Sequence, residues 1–142
     1  MNIKMMLIVV VCCLQTIPTF AASLRNTSGN SVGVVEADAY GNKTYRDRNG
    51  NQVASSTIDS RGTRTIKDRN GNTKGIAETD SRGKTTLRDA NGNTKGTAQT
   101  DSWGVTTYRD ANGNIVGTSK VDSSGKKTFK DKNGNEVASL TK

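Results

Sequence analysis

Asp80-Ser81-Arg82-Gly83-Lys84-Thr85-Thr86-Leu87-Arg88-Asp89-Ala90-Asn91-Gly92-Asn93 is the stretch whose reading decides the fold. Seven residues, Thr94 to Thr100, follow it, and the pattern then starts again at Asp101. It has already started at Asp38 and Asp59, so one unit returns every 101 − 80 = 21 residues. A fixed internal period marks arrays in which each unit packs only on its neighbours. Function is then sought in what a repeated surface can do.

Each unit carries two turn signals. The first is Asp-x-x-Gly, at Asp38 to Gly41, Asp59 to Gly62, Asp80 to Gly83, Asp101 to Gly104 and Asp122 to Gly125. Asp opening a type I turn bonds the backbone two residues on, and the closing Gly supplies a positive φ, giving a three-residue hairpin loop. The second is Asn-Gly, at Asn49-Gly50, Asn70-Gly71, Asn91-Gly92, Asn112-Gly113 and Asn133-Gly134. Asn-Gly is the signature of a type I′ two-residue turn. The chain is therefore expected to reverse about every ten residues.

These turns fix a register. An Asn91-Gly92 turn pairs Ala90 with Asn93, Leu87 with Gly96 and Thr85 with Ala98, while the Ser102-Trp103-Gly104 loop pairs Asp101 with Val105 and Ala98 with Tyr108. Tyr45, Ile66, Leu87, Tyr108 and Phe129 then share one face with Ala54, Gly75, Ala77, Gly96, Ala98, Gly117 and Ala138. A miscount of one residue would scatter them over both faces, because strand side chains alternate. The other face holds Thr44, Thr65, Thr86, Thr107 and Thr128 with Arg46, Lys67, Arg88, Arg109 and Lys130. In this register Arg88 faces Lys95 and Lys67 faces Lys74, like charges that call for solvent or a counter-anion. The expected fold is all-β: tandem 21-residue hairpins in an antiparallel meander, as a single-layer or curled sheet, with a β-solenoid as the alternative.

Residues 1–22 differ in kind. Lys4 gives a positive start, Met5 to Leu14 is unbroken apolar sequence, and Ala21-Ala22 offers small residues for cleavage, as in a removable secretory signal peptide. The apolar run is shorter than the roughly 20 residues of a membrane span. Cleavage after Ala21, with Thr19 three residues back, fits better than cleavage after Ala22, which puts Phe20 there. Cys12 and Cys13 both lie in this run, so the mature chain has no disulfide and no thiolate metal site. Residues 23–37 read as a degenerate first repeat, with Leu24 matching Tyr45 and Gly29 matching Gly50, and residues 38–142 as five full repeats of the same domain.

The chain has no His, and its glutamates are Glu36, Glu78 and Glu136. General acid–base and nucleophilic catalysis need a positioned group in a water-excluding pocket, which a repeated sheet rarely supplies, so the chain reads as non-enzymatic. Asp-x-Asn-Gly-Asn invites a calcium reading, but counting from Asp110 puts Gly113 at position 4 and Val121 at position 12, which is not EF-hand spacing. No cofactor or metal is expected.

Charge is more informative. The formal charge is +8, and loss of Lys4 leaves 8 − 1 = +7. Arg46, Lys67, Lys74, Arg88, Lys95, Arg109 and Lys130 form a candidate polyanion face, for lipopolysaccharide, acidic glycan or a similar partner. Aromatic residues do not alternate with these cations, which argues against sequence-specific nucleic-acid reading. The residue before each Asp-x-x-Gly glycine varies: Tyr40, Arg61, Arg82, Trp103 and Ser124. Exposed Tyr, Trp and Arg anchor binding surfaces, so Tyr40, Arg61, Arg82 and Trp103 form a candidate contact row.

Thr106-Thr107-Tyr108-Arg109-Asp110-Ala111-Asn112-Gly113-Asn114-Ile115, with Asp122 to Gly125 after it, resembles the tyrosine–aspartate repeats of large secreted bacterial Rhs-type proteins. The likeness covers nearly all of the mature chain and implies a β-shell of strands joined by Asp/Gly turns. It departs in spacing: Tyr108 precedes Asp110 by two residues, where that family has them adjacent. Signal peptide, length and period more loosely resemble curli-type secreted subunits, although only Gln52 and Gln99 stand in the array. The expected function is an exported binding or adhesion module of the cell envelope or surface with a cationic face. A self-assembling extracellular fibre subunit and an exported effector or inhibitor acting by protein contact are the alternatives.

Overall fold

A computed structural model describes residues 21–141. Most of the expected signal peptide, including Lys4, Cys12 and Cys13, lies outside them. Twelve strands follow in order: β1 (Ala22–Arg25), β2 (Ser31–Ala37), β3 (Lys43–Asp47), β4 (Gln52–Ile58), β5 (Arg64–Asp68), β6 (Thr73–Thr79), β7 (Lys84–Asp89), β8 (Thr94–Thr100), β9 (Val105–Asp110), β10 (Ile115–Val121), β11 (Lys127–Asp131) and β12 (Glu136–Thr141). Each pairs antiparallel with its chain neighbours, as the meander requires, and the described residues hold no helix.

The sheet does not stay open, and it is not a solenoid. β12 returns to β1 and closes a barrel of twelve strands, with Leu24 opposite Leu140. Closure removes the two unpaired edges that an open meander would present. The curl comes from the strands themselves. β7 pairs Leu87 with Gly96 but Arg88 with Thr94, so Lys95 is an extra residue, a β-bulge. The same shift follows Leu24, Tyr45, Ile66, Tyr108 and Phe129. Bulges bend a strand and increase its twist, and one in every repeat bends the sheet steadily one way.

The bulge also corrects the turn. Among the described residues no non-glycine has a positive φ, so the Asn-Gly turns are not type I′. Asp89 N–H donates to the Asn93 carbonyl (2.9 Å) and Gly92 N–H to the Asp89 carbonyl (3.0 Å), leaving a three-residue loop, Ala90 to Gly92. Asp101 with Val105 and Gly104 makes the same pattern, so both turn families are one kind. The true pair at the turn sums to 89 + 93 = 182, and the bulge restores 87 + 96 = 183 in the strand body. Leu87 with Gly96, Thr85 with Ala98 and Ala98 with Tyr108 are therefore paired as expected, although the turn that led to them is different.

Tyr45, Ile66, Tyr108 and Phe129 are buried inside the barrel with Ala54, Ala98 and Ala138, and Leu87 packs partly buried against them. Leu24, Val35 and Leu140 complete this core where the barrel closes. The degenerate first repeat thus supplies the hydrophobic side of the closing contact.

Candidate binding surface

The Asp-x-x-Gly turns all lie at one end of the barrel, because turns in a meander alternate between ends. Tyr40 and Trp103 stand out on this rim, 84% and 78% exposed, with exposed Arg61 and Arg82 between them. The turns of Tyr40 and Trp103 are 8 − 2 = 6 strands apart in a ring of twelve, so the two aromatics sit across the mouth from each other. The row is one half of the rim rather than a single patch.

Each rim loop is held by its Asp. Asp101 Oδ1 accepts from the N–H groups of Trp103 and Val105, both at 2.9 Å, and this fixes the loop that carries Trp103. The Asn-Gly turns at the opposite end add a second bond, from the Asn side-chain amide to the other carboxylate oxygen, as from Asn93 Nδ2 to Asp89 Oδ2 at 3.2 Å. These carboxylates are satisfied turn acceptors. Among the described residues, no three acidic, His or Cys groups cluster as a metal site would need.

The expected polyanion face lies on the outer wall, but it is not one row of like cations. Lys74 and Lys95 occupy bulges, so Lys67 faces Thr73 and Arg88 faces Thr94. Each bulge lysine instead meets the Asp of its own hairpin, Lys74 with Asp68 at 3.4 Å and Lys95 with Asp89 at 3.2 Å. Arg46 pairs with Glu36 at 3.0 Å and Arg88 with Glu78 at 3.7 Å. Among the described residues, Lys67, Arg109 and Lys130 form no ion pair with an acid. The cationic character therefore concentrates at particular places.

One such place is a shallow groove of about 300 Å³ over β7, β8 and β9. Lys84, Thr97, Gln99, Thr107 and Arg109 line it, and Thr100 and Asp101 close it at the rim. Register explains the grouping: Lys84 pairs with Gln99, Gln99 with Thr107, and Thr97 with Arg109, so all five side chains share the outer face. Arg109 is steadied by a 3.0 Å bond from its Nη1 to the Gly113 carbonyl. Asp101 lines the groove and also accepts the backbone N–H of Trp103, so the groove ends at the loop that carries this aromatic. The groove contains one member of the expected face, Arg109, and no member of the expected turn-tip row, although it ends beside the loop of Trp103.

The sequence reading left Lys43 and Arg64 unremarked and set Lys127 with the outer cations, but all three lie inside the barrel. Lys43, Arg64 and Lys127 are buried, at the repeat position filled by Thr85 and Thr106 in the other two units. They stand two residues before Tyr45, Ile66 and Phe129, and alternation places them inward. Arg64 donates to Ser56 Oγ and to the Gly41 carbonyl, both at 2.9 Å, and the Lys127 ammonium lies 5.2 Å from the centre of the Phe129 ring. Such contacts offset part of the cost of taking a cation out of water.

Among the described residues no helix is long and apolar enough to cross a membrane. The strands span four to seven residues, short of the roughly 9–11 of a membrane-crossing strand, and the outer wall is charged where lipid-facing barrels are apolar.

No family model and no curated protein matches the chain. Among solved structures it is similar to the crystal structure of BamB from Moraxella catarrhalis, with 12% identity and a TM-score of 0.33, over 80% of this chain and 56% of that one. The chain thus spans just over half the length of that structure, and a likeness of this degree carries no argument. None of these comparisons bears on tyrosine–aspartate or curli repeats.

Proposed function

We propose that this chain is an exported, non-enzymatic binding module of the cell envelope or surface, and that it holds an acidic glycan or similar polyanion in the groove over β7–β9. The observation that carries the reading is the meeting of Lys84 and Arg109 with Thr and Gln hydrogen-bonding groups at one place on the outer wall, below the rim loop that carries the exposed Trp103. Cations meet sulfates or carboxylates, hydroxyls and amides meet sugar hydroxyls, and an aromatic face covers a sugar ring. The remaining positive charge steers such a partner toward the surface from a distance.

The export reading rests on the apolar run Met5 to Leu14 and the small residues at Ala21-Ala22. Ala22 is 2% exposed in the core, which favours cleavage after Ala21 over cleavage after Ala22. Sequencing the N-terminus of the secreted product tests this, with Ala22 expected first.

The binding test is retention on immobilised heparin with increasing salt, compared between the unaltered chain and a Lys84→Ala/Arg109→Ala double variant. Retention that falls with salt, and that the double variant largely loses, is expected, because screening weakens exposed charge pairs. Equal retention of the two proteins would overturn the groove as the site.

A further inference from the structure

The junction that closes the barrel is the shortest among the described strands. β1 and β12 share three register pairs, Ser23 with Thr141, Leu24 with Leu140 and Arg25 with Ser139, while every other junction has four or five. It is also the one junction with no turn across it, so breaking it leaves the chain continuous and exposes two edges.

Its register is that of an internal junction. Between β10 and β11, Ser119 faces Phe129. Moving on one period on the β10 side gives 119 + 21 = 140, and moving back five periods on the other gives 129 − 105 = 24, which are the facing residues Leu140 and Leu24. The neighbouring pair behaves likewise: Lys120 with Thr128 becomes Thr141 with Ser23. To β12, therefore, β1 has the register of the next repeat.

A strand that continues the repeat serves equally well from its own chain or from another. We infer that the β1–β12 seam is exchangeable: β1 of a second copy of this chain takes the place beside β12 and joins copies head to tail. The bonds formed are the same in both cases, so the choice depends on the effective concentration of the chain's own β1 against the concentration of other copies. The contact is heterologous, so successive copies build a ring or an open filament. Leu24 and Leu140, 9% and 8% exposed, bury the same surface in either arrangement. This inference is independent of the groove and needs no polyanion.

The test uses the chain from Ala22 onward, which keeps all twelve strands and contains no native cysteine, since Cys12 and Cys13 precede it. A Ser23→Cys protein is mixed with a Thr141→Cys protein, concentrated, warmed and oxidised. Directly opposed strand residues lie within disulfide reach, so head-to-tail exchange gives the mixed dimer in about tenfold or greater excess over either homodimer. No mixed dimer, or mixed and homodimers in statistical proportion, overturns the inference. Sedimentation supplies a readout free of mixing. The Ser23→Cys/Thr141→Cys protein, oxidised within one chain, stays monomeric at every concentration, while the unaltered chain grows with concentration and keeps its β signal. An unaltered chain that stays monomeric throughout also overturns it.

Discussion

Arg64 on β5 donates from Nη2 to the carbonyl of Gly41, 23 residues earlier, at 2.9 Å. Its other terminal nitrogen reaches Ser56 Oγ on β4, so one buried guanidinium ties a rim turn to the inner wall. Replacing it by Met leaves both acceptors without this donor and lowers stability by about 1–3 kcal/mol. Arg64→Lys recovers only part, since an ammonium lacks the planar fork that serves both acceptors at once. Urea unfolding of the three proteins checks the order, with midpoints falling from Arg to Lys to Met.

Acid should open the barrel through its turns. The Asn42, Asn51, Asn114 and Asn135 side chains hold Asp38, Asp47, Asp110 and Asp131 below the usual 3.8, and the Ser124 hydroxyl does so for Asp122. At Asp68 and Asp89 desolvation pushes upward, but bonds from Asn72 and Lys74, or Asn93 and Lys95, outweigh it and bring Asp89 to about 2. A depressed folded value means stability that is fully present above the unfolded value of about 3.9 and lost as pH falls through the folded one. Circular dichroism in mild urea should therefore be level down to about pH 4 and fall steeply toward pH 2. A flat profile across that interval would rule out these carboxylates as the cause.

The turn geometry separates neighbouring residues sharply. Gly92 has φ of +86°, so Gly92→Ala costs about 1–2 kcal/mol. Asn91 lies outside the positive-φ region and its side chain is exposed, so Asn91→Ala costs less than about 0.5 kcal/mol, as surface changes do. A type I′ turn would penalise both. Asp89→Ala removes the acceptor of the Asn91 and Asn93 N–H groups and should lower the thermal midpoint more than Asn91→Ala does.

The two exposed rim aromatics should differ in binding. Trp103→Ala is expected to weaken acidic-glycan binding by at least about fivefold, since the loop at the end of the groove loses its exposed aromatic. Tyr40→Ala, across the mouth from the groove, should leave affinity within about twofold, as a residue outside the contact does. Calorimetric titration with a heparin oligosaccharide reads both. Equal losses would move the site from the groove to the rim as a whole.

Much of the strand body was legible because its register follows from a 21-residue period and the alternation of Tyr45, Ile66, Leu87, Tyr108 and Phe129. The type I′ assignment survived into a correct strand register because two miscounts cancel. The loop is one residue longer than Asn-Gly suggests, and the bulge at Lys95 takes that residue back. The same cancellation hid the ion pairs of Lys74 and Lys95, which a bulge-free ladder sets against Lys67 and Arg88. The interior cations could have been found by carrying the alternation back two residues from Tyr45 to Lys43. Closure was not legible, because it depends on bend accumulated over twelve strands, which no local signal states. The groove was out of reach for a related reason: Lys84, Gln99 and Arg109 come from three strands whose curvature sets its depth.

The identity of seam and internal junction bears on how such a chain can vary over generations. Duplicating or deleting one whole unit in the gene adds or removes a hairpin and leaves the register rule at every remaining contact unchanged. Only the girth of the cylinder alters. A slip of any other length places Leu24 against the wrong partner and breaks the ring. Inheritance can therefore retune the width of this protein in steps of two strands, while point changes retune what its wall touches.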